Sequence, residues 1–184
     1  IGTLLSILIF FRKDIYKLLR GIIDKNQDSV SYGLYIIVAT IPIVIFSLAI
    51  KDYIDSIFSV NILVYTYIVN AIILFITKKS VGKNGNISLK LAIAMGITQT
   101  FALFPGISRA GITICTGLIL GYERREVAKF SFFMAIPALI GAMIFELDNI
   151  IYQISLDSTS LIIGFFVSMI SGLLVLGLLF KILQ

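Results

Sequence analysis

The sequence has no histidine, one cysteine and little charge, and each shortage narrows what the chain can do. Without histidine, the usual neutral-pH proton carrier and the commonest metal ligand are both missing. Any general base must therefore be a carboxylate or lie outside these residues. Cys115 stands alone in an apolar run, which excludes an internal disulfide and suggests no thiolate metal site. It reads as a buried structural thiol. Charged residues make up 14% of the 184 residues, against roughly 25% in an average soluble domain.

With hydrophobic residues at 59% and a mean hydropathy of +1.05, the shortage of charge excludes a soluble globule and defines an integral membrane protein. Lys and Arg number 15 against 10 Asp and Glu, a net charge of +5. In a soluble chain that excess would suggest nucleic acid. Here the basic residues form short clusters between apolar runs and read as topology, since loop Lys and Arg favour the cytoplasmic side. Residues 1–11 are apolar, with neither an initiator Met nor a basic region before them. They are expected to be the end of a longer span rather than a signal peptide.

The chain is predicted to be all-α, a polytopic helical bundle. Arg12, Lys13, Lys17, Arg20 and Lys25 lead into a polar stretch at Asn26–Ser29, placed in the cytoplasm. A span over 32–50 follows, with Pro42 as a tolerated kink. Lys51–Ser56 carries no basic excess and is expected outside. A returning span covers 57–77, where Asn61 and Asn70 read as helix-packing polar groups rather than substrate contacts. Lys78, Lys79, Lys83 and Lys90 then mark a cytoplasmic loop. Further spans are expected over 130–147, with Pro137 inside, and over 161–183, joined by an outer loop at Asp148–Ser160 without Lys or Arg.

Residues 91–122 break this pattern. Two apolar runs flank the polar loop Phe104–Thr113, and a run of roughly 14 residues covers only about 21 Å of a hydrocarbon core ~30 Å thick. One crossing would put Arg124, Arg125 and Lys129 outside, whereas a re-entrant pair of half-helices keeps them inside. The positive-inside rule favours the second. Arg109 then lies at bilayer depth, where an arginine costs at least about 2.5 kcal/mol and faces a cavity or a partner. Its sequence neighbours Ser108 and Thr113 are not acids. Gly106 and Gly111 let the backbone approach a ligand, and a helix beginning near Ala110 would offer free N–H groups to an anion. A guanidinium adds bidentate recognition of phosphate oxygens. The loop is thus a candidate phosphate site. Ser108 and Thr113 are equally well placed to cap a half-helix or to touch the ligand. Gln99, on the incoming half-helix, is a further candidate for the same cavity, while Glu123 and Glu126 read as solvated charges.

The stretch Pro105-Gly106-Ile107-Ser108-Arg109-Ala110-Gly111-Ile112-Thr113 resembles the P-G-x-S-R-S-G-x-T motif of bacterial undecaprenyl-diphosphate phosphatases, the bacitracin-resistance family. Ala110 stands where that family usually has Ser. The likeness extends through Gly121, Phe130-Ser131-Phe132, Ala135-Ile136-Pro137 and Gly141-Ala142, and back to Ile1–Ile7. It implies a membrane hydrolase that converts undecaprenyl diphosphate to undecaprenyl phosphate, built from two inverted repeats, each with a re-entrant pair, around a site facing the outer side. Arg109 would hold the diphosphate, supported by Ser108 and Thr113. The family's E-x-x-x-E and P-x-S-S-x-x-H segments, which carry its carboxylates, His and proposed nucleophilic Ser, do not occur in these residues. The chain is accordingly expected to be a piece of the enzyme, inactive by itself. The resemblance also implies a divalent cation; with no carboxylate cluster in these residues, it would sit on the diphosphate and on acids elsewhere. Membrane lipids and a second copy of the chain complete the candidate partners. A lipid-phosphate or anion transporter of inverted-repeat type is the alternative, since such transporters also use broken helices.

Overall fold

The computed structural model describes residues 1–50, 60–77, 82, 85–145 and 158–183. The loop expected at Lys51–Ser56, residues 148–157 of the loop expected at Asp148–Ser160, and the cluster Lys78, Lys79 and Lys83 lie outside the described residues. All regular structure among the described residues is helical: α1 (Gly2–Phe10), α2 (Arg12–Ile23), α3 (Gln27–Ile50), α4 (Val60–Ile76), α5 (Leu89–Gln99), a 3-10 turn (Thr100–Leu103), α6 (Arg109–Ile119), α7 (Arg124–Phe145) and α8 (Ser158–Ile182). Helices α3, α7 and α8 are long and apolar enough to cross a bilayer. They leave many large apolar side chains exposed, as lipid solvation requires. The chain is an all-α integral membrane protein.

Several boundaries differ from the hydropathy reading, which sees only apolar residues. The helix containing 32–50 starts at Gln27, and that containing 130–145 starts at Arg124. Asp28 and Glu126 occupy their first turns, where a carboxylate suits the helix dipole. Residues 12–23, read only as a charged stretch, form the separate helix α2.

Two compact units arise. In the first, residues 1–30 with 135–184, α1 lies along α8, and Phe10 and Phe11 bracket Phe180 at centroid distances of 5.5 and 5.2 Å. The α2–α3 corner belongs to this unit. Lys25 adopts φ +54°, the Asn26 N–H donates to the Gly21 carbonyl, and the Asn26 Oδ1 accepts from the Asp28 and Ser29 amides at 3.0 and 3.2 Å.

In the second unit, residues 31–134, a core of Ala39, Leu91, Ala92, Met95, Val127, Phe130 and Met134 joins α3, α5 and α7. Gly96 allows the closest approach: a Cβ there would come within 2.7 Å of the Ala39 carbonyl oxygen. Helices α5 and α6 form an antiparallel hairpin. Ser88, the N-cap of α5, shares a 2.5 Å hydrogen bond with the Tyr122 hydroxyl just beyond α6, and Thr116 donates to Thr98 at 3.0 Å between them. Helix α4 runs parallel to α6 instead. Three side-chain ties join them, Thr66 to Pro105, Asn70 to Ser108 and Thr77 to Cys115, with sequence offsets of 39, 38 and 38. A near-constant offset is the register of two parallel helices of equal rise.

Candidate functional site

The loop between α5 and α6 is built from backbone outward. The 3-10 turn ends at Phe104, whose extended backbone (φ −74°, ψ 130°) carries the chain into Pro105. Gly106 then takes φ +93°, a conformation that costs an L residue about 1–2 kcal/mol. A side chain there would also strike the Thr66 hydroxyl. Ser108 is the N-cap of α6: its Oγ accepts from the Gly111 amide at 3.1 Å, while its carbonyl accepts from Ile112 at 2.9 Å. These bonds satisfy two of the helix's leading N–H groups. The amides of Arg109 and Ala110 have no acceptor among the described residues, and they lie at the positive end of the helix dipole.

Helix α4 holds this loop from the side. Thr66 Oγ1 donates to the Pro105 carbonyl at 2.5 Å, and Asn70 Oδ1 accepts from the Ser108 amide at 3.3 Å. Thr66 and Asn70 are four residues apart, on one face of α4. Thr66 was missed by sequence reasoning, and Asn70 was read only as helix packing. The signal available was that i, i+4 pair of polar groups in a largely apolar helix.

Arg109 is half-buried at the first position of α6. No ion pair joins Arg109 to a carboxylate among the described residues. Ser108 is exposed beside it, and Gly111 lies one turn on, with its absent Cβ 3.1 Å from the Ser108 Cβ. Four of the candidates, Gly106, Ser108, Arg109 and Gly111, thus share one loop surface. The other two are internal. Thr113 is 1% exposed; its hydroxyl donates to the Arg109 carbonyl at 2.8 Å and shares a 2.7 Å hydrogen bond with Ser131 of α7. Gln99 is fully buried, with Nε2 donating to the Ala39 carbonyl at 2.5 Å and Oε1 without a partner among the described residues. Ser131 had appeared only within a motif; it seats the first turn of α6 through Thr113.

A guanidinium with no partner among the described residues, on the same helical turn as two open amides, offers an oxyanion donors that are charged or dipole-enhanced. Metal binding is another matter. Phe104–Thr113 offers a guanidinium, amides and hydroxyls but no carboxylate, and no three His, Cys, Asp or Glu converge among the described residues. These side chains do not form a seat for a divalent cation.

Fold and site together define a helical membrane protein with a broken helix pair, at whose head stands an arginine without a carboxylate partner among the described residues. Residues 1–184 match the family model described as Bacitracin resistance protein BacA, and the chain belongs to that family. It is 39% identical over 185 residues to an undecaprenyl-diphosphatase of Thermosipho africanus, covering 99% of this chain and 73% of the relative. An undecaprenyl-diphosphatase of Methanococcus maripaludis is 34% identical over 185 residues, at 98% and 72% coverage. One from Caldicellulosiruptor bescii is 36% identical over 191 residues, at 100% and 72%.

Proposed function

We propose that this chain belongs to a membrane hydrolase that dephosphorylates undecaprenyl diphosphate to undecaprenyl phosphate, the lipid carrier of peptidoglycan synthesis, and so confers bacitracin resistance. The observation that carries the site assignment is Arg109, without a carboxylate partner among the described residues at the first turn of α6, beside the open amides of Arg109 and Ala110. The hydrolase name shared by the three relatives favours hydrolysis over lipid-phosphate transport.

The reaction forms a bond from a water oxygen to the terminal phosphorus and breaks the bridging P–O bond. Inorganic phosphate departs, and the bridging oxygen stays on the polyprenyl phosphate. Negative charge grows on that oxygen and on the equatorial oxygens, and positioning with charge stabilisation dominates catalysis of such transfers. Arg109 and the α6 amides would supply it. Ser108 and Gly111 shape the surface on which the diphosphate lies, and Thr113 positions Arg109 through its carbonyl. Gln99 acts from behind, by fixing α5 on α3. The chain has no histidine and Phe104–Thr113 has no acid, so the water's proton leaves to a base outside this loop. A divalent cation would ride on the diphosphate rather than on this loop.

Residues 91–122 enter and leave the bilayer on one side, in the plasma membrane, with the site open to the outer face. Two features support that topology. The Ser88–Tyr122 bond brings the start and end of the hairpin together, and the parallel register of α4 and α6 sets the loop level with Thr66, inside α4 rather than at its end.

Phosphate release from polyprenyl diphosphate in liposomes tests the proposal. Arg109→Ala is expected to lower turnover by a hundredfold or more, the scale for loss of a major charge-stabilising donor. Native turnover kept by the variant would remove Arg109 from the site, and a native protein that moves the lipid without hydrolysing it would restore the transporter.

A further inference from the structure

None of the candidate site residues lies on α2, yet this 12-residue helix has a strongly divided surface. Lys13, Lys17 and Arg20 fall on one arc of its wheel, and Leu19, Ile22 and Ile23 on the other. At ~18 Å long and this highly charged, it cannot cross a hydrocarbon layer ~30 Å thick. Leu19 and Ile23 are 55% and 78% exposed, so the apolar arc is not used up against a protein neighbour. The basic arc borders an open groove of about 730 Å³, completed by Arg12 and Tyr16. Four cations line that groove against one carboxylate, Asp24, which lies 3.7 Å from Arg20.

We propose that α2 is an in-plane surface helix whose basic groove holds the phosphate headgroup of an anionic bilayer phospholipid. The apolar arc lies in the acyl boundary, and the lysine and arginine stems carry their charges up to the phosphate level. Charge complementarity selects the occupant: a zwitterionic headgroup brings its own cation into a groove already rich in them, whereas an anionic one neutralises it. Each basic side chain near an anionic surface contributes roughly fivefold in affinity. The fixed α2–α3 corner at Lys25 and Asn26 holds the helix end in place.

These residues hold no tryptophan, so Tyr16→Trp adds one reporter in the groove, read as the difference from the native protein. The full protein carrying it is reconstituted in equal mixtures of phosphatidylglycerol and phosphatidylcholine, with bromine on the chains of one lipid or the other. Quenching is expected to show a preference of tenfold or more for the anionic lipid, shrinking as salt shortens the screening length. Adding K13Q, K17Q and R20Q, all at exposed positions, should bring the two lipids within twofold of each other, while K90Q with R125Q, outside the groove, should leave the preference intact. Equal quenching in the unneutralised protein, or a preference that survives the triple neutralisation, would overturn the proposal. Loss of the preference on adding millimolar inorganic diphosphate would overturn it as well, because the groove would then serve a soluble anion.

Discussion

Two helix breaks in this chain use the same local device and differ in what holds them. At the α2–α3 corner, Lys25 takes a positive φ and Asn26 caps the following helix through bonds spanning two and three residues. Between α5 and α6, Gly106 takes the positive φ and Ser108 caps, and bonds spanning 38 and 39 residues from α4 are added to the local ones. The first corner is self-contained and exposed. The second is clamped by a third helix, and that clamp holds the backbone amides at the head of α6. A turn needs only its own residues to reverse the chain; the proposed binding surface needs its donors held against the pull of a ligand.

The comparison can be broken most severely at Arg109, the one group that gives the second corner its charge. Arg109→Lys is expected to restore only part of the turnover lost in Arg109→Ala, since a point charge replaces a planar fork; steady-state phosphate release for the two variants side by side decides this. Full rescue by Lys would mean that charge alone matters.

Next in size is the positive-φ residue at each corner. Gly106→Ala should cost about 2 kcal/mol or more, combining left-handed strain with the collision at Thr66. Lys25→Gly relieves strain and should leave stability within about 1 kcal/mol of native, on the favourable side. Thermal melting in detergent reads both, and equal losses would erase the distinction between the corners.

The side chains that accept a corner's backbone amides come third. Asn70→Ala removes the acceptor of the Ser108 amide and should cost about 1–2 kcal/mol, together with a tenfold or greater fall in turnover from misplaced donors. Asn26→Ala should cost about 1 kcal/mol with turnover unchanged. Smallest is Thr113→Ser, which keeps the hydroxyl shared with Ser131 and is expected to stay within about twofold of native activity, whereas Thr113→Val loses that bond. If Val proves as active as Ser, the Ser131 contact does not seat α6.

The same divide between local and long-range bonds separates what the sequence makes legible from what it does not. Short-range physics was legible: apolar runs too short to span, Gly and Pro at a break, an arginine set between two apolar runs. Ser108 was legible as one of two things, a cap or a ligand contact, and it caps α6. Long-range partners were not legible, because Thr66 and Asn70 look like ordinary polar residues of an apolar helix until the register with α6 is known. Gln99 shows the same limit: its polarity suggested a cavity, yet it is bonded to a backbone carbonyl 60 residues away. Helix α2 escaped for another reason, since interleaved charge hides its apolar arc from a running hydropathy average.

The bond between Ser88 and Tyr122 has a consequence for how the protein is made. A hairpin whose two ends meet involves no change of side, so on the proposed topology its entry into the bilayer drags no flanking loop across. Arg124, Arg125 and Lys129 would stay in the compartment where they were synthesised. Only the tip makes the journey, and the one costly passenger aboard is Arg109. Helix α4 is synthesised first and presents Thr66 and Asn70 to receive the tip's backbone, so the order of the genetic message matches the order in which the loop and its clamp must meet.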